Sequence, residues 1–418
     1  MDKFHHVIVK ILDSIFGIVL CLVSAFVFYV PYEIEIIPKW HNIFEIARPI
    51  CLILLVIFFF LLYISGKDFF KNNIALFIGL AFLGYLIYRT WQTGGDMTEA
   101  MTTEGFYGIP LMLVFAIFIK TNPRKYLVLL FFLYAAVCAA NIYTVFKYDG
   151  IGMWEVYEEY RNTVFSLVGN YNVGIRYFMP MVFCGAAYSY LYSWWLQPIN
   201  YIMIIANIVM AFKANSDTQI YVFIASMAVI IVTDIIKAAP KSYKFFRIFN
   251  GVTLAVLNLL IFAFVVPFNR LWLGTIGPAT DFHNRLYIWD GTMEMIKANP
   301  ITGYGLEEVV TFASKFPGHN PAHCHCFYLE LPYCTGLIGV VLFLALVVIT
   351  LIAVMKAKKP GIRFLMGGLL FCVFLASIFE SYLFSYCVMM LVMAYYISKF
   401  GVGERKRGRK AVREEEQG

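Results

Sequence analysis

About twelve apolar runs of near-membrane length, separated by polar connections, constrain this chain more than any other feature. A helix of about twenty residues, rising about 1.5 Å per residue, crosses a hydrocarbon core about 30 Å thick. Such runs lie at roughly 11–31, 47–65, 73–90, 106–119, 126–146, 174–193, 199–213, 219–236, 247–267, 327–355, 363–381 and 383–400. The composition agrees: 61% of residues are hydrophobic and 14% charged, against about 45–50% and about 25% in soluble domains. In water so much apolar surface would cost about 25 cal/mol per Å², and a lipid solvent removes that cost. The expected fold is an all-α integral membrane protein of about twelve transmembrane helices. The start, MDKFHHVIVKILDSIFG, runs into a full-length span without a small-residue cleavage site, so it reads as a span and not as a removed leader.

Charge sets the expected orientation. With both termini in the cytoplasm, the inner connections hold most of the 33 lysines and arginines, among them Lys67, Lys71, Lys120, Arg124, Lys241 and Lys356. The other side keeps fewer, and most of the acids, which is the positive-inside asymmetry. The chain divides into a membrane domain, 1–400, and a basic tail, 401–418, whose run Arg405-Lys406-Arg407-Gly408-Arg409-Lys410 suits anionic headgroups. The formal charge of +7 therefore points to membrane lipids and away from nucleic acid.

Three outer connections, 32–46, 91–105 and 147–163, are acidic or mixed in charge. The fourth, 268–325, is the longest, and long structured loops are usually functional. It holds four of the seven histidines: His283, His319, His323 and His325. Within it, residues 284–298 (NRLYIWDGTMEMIKA) read as an amphipathic helix before the tenth span, with Leu286, Trp289, Met293 and Ile296 on one stripe. Asn284 is the expected N-cap, which puts Arg285 in the first turn at headgroup height. A guanidinium there grips phosphate in bidentate fashion, or simply snorkels. The helix stops at Asn299-Pro300, before the turn Ile301-Thr302-Gly303-Tyr304-Gly305. Next comes Pro321-Ala322-His323-Cys324-His325-Cys326, with Phe327 expected to begin the tenth span. That places His325 at the water–lipid boundary, where imidazole is suited to accept a proton from a hydroxyl.

Two stretches resemble the O-antigen ligase and polymerase family of bacterial polysaccharide assembly. HNRLYIWDGTMEMIKANPITGYG is similar to its pattern of Arg, Trp, then Asn/Asp-Pro-Leu/Ile-x-Gly-x-Gly. AHCHCFYLELPYCTGLIGVV is similar to its His, Leu and Gly-x-x-Gly opening of a span. The matching positions are Arg285, Trp289, Pro300, Gly303, Gly305, His325, Leu329, Gly336 and Gly339. The resemblance implies a metal-independent, inverting glycosyltransferase in the bacterial plasma membrane, needing no cofactor and working on the extracytoplasmic side. Its donor is an oligosaccharide on undecaprenyl pyrophosphate, and a flippase and a chain-length regulator of the same pathway are implied partners. Arg285 would neutralise the leaving pyrophosphate and His325 would activate the acceptor hydroxyl, with His323 and Trp289 as substrate contacts.

The chain departs from the family at two places. Cys326 stands where an asparagine often follows the histidine, and Asn215-Ser216-Asp217-Thr218-Gln219 stands where a Ser-Arg pair often opens a span. The second pyrophosphate arginine must then come from elsewhere, with Arg176 first and Arg89 and Arg270 behind it. Polymerase is favoured over ligase transfer to a lipid or protein. Two readings from other classes stay open. His319, His323, Cys324, His325 and Cys326 are zinc-type donors, yet crowded too closely to surround one tetrahedral ion. A secondary transporter also fits about twelve helices, although related halves and broken midplane helices are not evident.

Overall fold

The computed structural model describes residues 2–35, 37–64, 69–147, 165–276, 280–318, 321–381 and 383–401, without the side chains of 2–3, 32–33, 64, 165–166, 169–172, 264–276 and 280–284. Helices dominate: α1 (Asp2–Asp13), α2 (Ile15–Val27), α3 (Pro38–Ile64), α4 (Phe69–Thr93), α5 (Tyr107–Val114), α6 (Pro123–Lys147), α7 (Ile175–Leu191), α8 (Gln197–Lys213), α9 (Asp217–Ala238), α10 (Gly251–Ile276), α11 (Thr280–Ala298), α12 (Val309–Ser314), α13 (Phe327–Met355), α14 (Pro360–Phe379) and α15 (Phe384–Phe400). Among the described residues the strands form only a two-residue hairpin, Phe165–Ser166 against Gly169–Asn170.

Nine described helices are long and apolar enough to cross a membrane, or ten if α1 and α2, bent by 64° about Ser14, form one broken span. The expected sixth and twelfth spans are the 17-residue helices α7 and α15, near the lower limit of length for a crossing. Both are central. Every residue of α15 from Phe384 to Ser398 is buried, as a helix apolar on all sides must be. Helix α13 packs against α4 and α15, α9 against α14, and α6 against α7.

Three boundaries differ from expectation. The connection expected over 91–105 is mostly helical, because α4 runs to Thr93 and a π-helix spans Glu99–Phe106 before α5. The expected 268–325 loop is shortened by α10, which continues to Ile276. Helix α11 starts at Thr280, so Asn284 lies inside it and Arg285 falls in its second turn. No residue between Thr280 and Asn284 is a strong helix breaker. Its buried face is Ile288, Trp289 and Thr292, while Met293 is exposed, because α11 packs on α13. The tail 402–418, His319, and the side chains of Arg270 and His283 lie outside the described residues.

Helix α13 begins at Phe327 as expected but is broken at Gly336 (φ +58°). A break inside a span strands backbone N–H and C=O groups, which is tolerated only where protein satisfies them. Here residues 300–305 do so. Tyr304 N–H donates to Tyr333 C=O (2.8 Å) and Gly305 N–H to Cys334 C=O (2.8 Å). In return Leu337 and Ile338 donate to the carbonyls of Pro300 (2.8 Å) and Ile301 (3.2 Å). The Asn-Pro-x-x-Gly-x-Gly turn is therefore spliced into the helix ladder.

Candidate active site

Four elements converge beside this splice: α11, the loop 321–326 leading into α13, the end of α14 and the start of α15. Arg285 on α11 donates from Nη1 to the Phe379 carbonyl (2.8 Å) and from Nη2 to Glu380 Oε1 (3.2 Å). The second oxygen of Glu380 stands 3.8 Å from His325 Nδ1. Glu380, 7% exposed, thus links the two residues that sequence reasoning placed at the centre. Sequence reasoning assigned it no role in the site.

The histidine loop is held rigidly. Trp289, 1% exposed, donates its indole N–H to the Cys324 carbonyl (2.8 Å), so it fixes the loop from behind. His325 adopts φ +51°, a conformation that costs a non-glycine residue about 1–3 kcal/mol and persists only where its surroundings demand it. Its amide donates to His323 Nδ1 (3.1 Å), and the two rings lie 4.1 Å apart. An imidazole nitrogen that accepts carries no proton, so the hydrogen of neutral His323 is on Nε2. Burial, with His325, Arg176 and Arg285 adding positive charge, pushes the His323 pKa down to about 3. His323 is therefore a neutral donor in this loop.

His323 also borders a cavity of about 170 Å³, lined in part by Arg176, Glu99, Glu307, Glu330 and Tyr333. Arg176, at the start of α7, has a buried Nε without a hydrogen-bond partner among the described residues. The carboxylates are not equivalent. Glu307 holds Lys315 (2.6 Å) and accepts from the Tyr333 hydroxyl. Glu104, also in the cavity wall, accepts from the amides of Phe384 (3.0 Å) and Ser385, capping α15.

The remaining expected residues sit apart. Arg89 does not line the cavity; its Nε and Nη2 both donate to the Gly303 carbonyl (3.0 and 2.8 Å), clamping the spliced turn. Burial pushes the Cys324 thiol up, and that of Cys326 up to about 12, which disfavours the thiolate that a metal requires. Cys324 Sγ faces the Cys326 carbonyl (3.1 Å). Among the described residues, no three His, Cys, Asp or Glu side chains are disposed to share an ion.

A multi-pass helical membrane protein with a charged, histidine-bearing site at the ends of its spans is the class that these features define. The family model described as O-antigen ligase matches residues 202–344, about a third of the chain, and supports an O-antigen ligase/polymerase family for it. The matched stretch contains Arg285, His323 and His325, and leaves out Arg176 and Glu380. At that level the match indicates glycan transfer of the ligase or polymerase type. No curated protein and no solved structure matches the chain.

Proposed function

We propose that the protein is a polymerase that moves glycan from undecaprenyl pyrophosphate to a sugar hydroxyl at the outer face of the plasma membrane. The observation that carries this reading is the cluster of Arg285, Glu380 and His325. A guanidinium and an imidazole on either side of one carboxylate are the leaving-group and acceptor ends of such a transfer. The acceptor hydroxyl attacks the anomeric carbon and gives its proton to His325 Nε2. The bond from that carbon to the pyrophosphate oxygen breaks, and the lipid pyrophosphate leaves with the electron pair. Arg285 neutralises the charge that develops, joined by Arg176 across the histidine loop. Attack opposite the leaving group inverts the anomeric centre.

His323, neutral and donating through Nε2, orients a substrate oxygen and does not compete for the proton. Two guanidiniums take the part that a metal plays in other transferases, which makes the reaction metal-independent. Ligase-type transfer uses the same groups with a lipid or protein acceptor, and the description of the matching family model favours keeping it as the second reading.

The test supplies purified protein with undecaprenyl-pyrophosphate-linked oligosaccharide, with and without EDTA. A ladder of lengthened chains supports the polymerase, and transfer to an added lipid-core acceptor supports the ligase. Loss of activity with EDTA contradicts metal independence. Movement of intact substrate across liposomes, without bond formation, supports a transporter instead.

A further inference from the structure

Glu380 stands between two groups that need it at different moments. Oε1 is committed to Arg285 Nη2 at 3.2 Å, while Oε2 is 3.8 Å from His325 Nδ1, beyond hydrogen-bond reach. That Nδ1 is buried and has no hydrogen-bond partner among the described residues. An imidazole acting as a base through Nε2 must carry its hydrogen on Nδ1 and needs an acceptor there to hold ring and tautomer. In this arrangement the carboxylate is drawn to the guanidinium instead. Arg285 has a second anchor, the Phe379 carbonyl at 2.8 Å, so its position does not depend on Glu380 alone. Among the described groups around it, the His323 ring lies tilted at a centroid distance of 4.1 Å, Arg176 is near enough for its charge to reach His323, and the flanking Cys324 and Cys326 are buried thiols. None of these accepts from His325 Nδ1.

A pyrophosphate arriving at Arg285 competes with Glu380 for the same N–H groups. It carries more charge and accepts in bidentate fashion, so it wins. The displaced carboxylate already has Oε2 3.8 Å from His325 Nδ1, a buried donor site without a hydrogen-bond partner among the described residues, so a small rotation brings the two into contact. We propose that Glu380 is a positioning residue that exchanges from Arg285 to His325 when the donor binds. Donor arrival then arms the base, and a site without donor keeps His325 without its carboxylate. This inference rests on the roles of Arg285 and His325 proposed above.

The sign of one binding measurement tests it. Full-length protein in lipid nanodiscs is titrated with inorganic pyrophosphate by calorimetry. Glu380→Gln removes the competing charge and should bind about three- to tenfold more tightly, whereas a merely structural role predicts unchanged or weaker binding and overturns the exchange. Arg285→Gln should weaken binding in either case. Unchanged binding there, or no binding by the wild type, contradicts the donor role of Arg285 itself. Histidine-labelled wild-type protein gives a second readout, which serves also if Glu380→Gln fails to fold. Saturating pyrophosphate should bring out a downfield Nδ1–H proton signal that is missing in His325→Gln. Its absence in the wild type overturns the exchange.

Discussion

A Cβ on Gly303 would fall 2.5 Å from the backbone nitrogen of Gly336, and one on Gly336 would fall 2.3 Å from the Ile301 carbonyl oxygen. The two glycines, both at positive φ, let a surface turn press its backbone into a broken helix. The splice sets where α11 ends and where α13 turns, and so fixes Arg285 relative to His325. Gly336→Ala meets both the clash and the unfavourable φ. It should cost about 2–3 kcal/mol, read as a fall in the melting temperature of the purified protein. Gly84→Ala, with nothing within 4 Å of the added carbon, should be neutral or slightly stabilising.

Glu104 is 1% exposed and its two oxygens accept the first free amides of α15. Helix N-termini carry unsatisfied N–H groups and a partial positive charge, so a buried carboxylate suits the position. Glu104→Ala should destabilise by about 3 kcal/mol, because two buried donors lose charge-assisted bonds. Glu104→Gln retains one good acceptor and should recover about half of that. Urea unfolding in detergent measures both.

His323 makes the stability of the protein depend on pH. Its folded pKa of about 3 lies below the ordinary histidine value of 6.5, so the unfolded chain binds one more proton between these values. Stability is fully present above pH 6.5 and falls as the pH drops through the window, by about 1.4 kcal/mol per pH unit at most. His323→Gln should flatten that part of the profile, measured as melting temperature between pH 4 and pH 7. A wild-type profile in the variant would contradict the neutral assignment.

Much of this was legible in the sequence, and the exceptions have physical causes. Apolar length placed most spans, and Phe327 was correctly read as the start of α13. The Asn299-Pro300 stop and the Gly303/Gly305 turn were also visible, since proline and glycine act locally. What that turn does was not, because its partners are the carbonyls of Tyr333 and Cys334 in a run that reads as continuous helix. Arg89 looked like an anion-binding arginine because a charge at a span end is costly, yet its acceptor, the Gly303 carbonyl, lies 214 residues away. Glu380 was hidden for the same reason: Arg285 is 95 residues distant. Of the stripe expected on α11, Leu286, Trp289 and Ile296 do face the core and only Met293 is exposed, while Ile288 and Thr292 join the buried face because α11 packs on α13.

The most direct test of the central claim compares three variants in the chain-lengthening assay with lipid-pyrophosphate-linked oligosaccharide. Each protein must first show wild-type melting behaviour. His325→Ala should lose about 10²–10⁴ in rate, the share that a general base supplies. Arg285→Lys should lose at least about tenfold, because an ammonium cannot reproduce bidentate contact with the leaving group. His323→Gln, which keeps a side-chain donor, should lose less than either. Full activity in His325→Ala, or a larger loss in His323→Gln than in His325→Ala, would contradict the account.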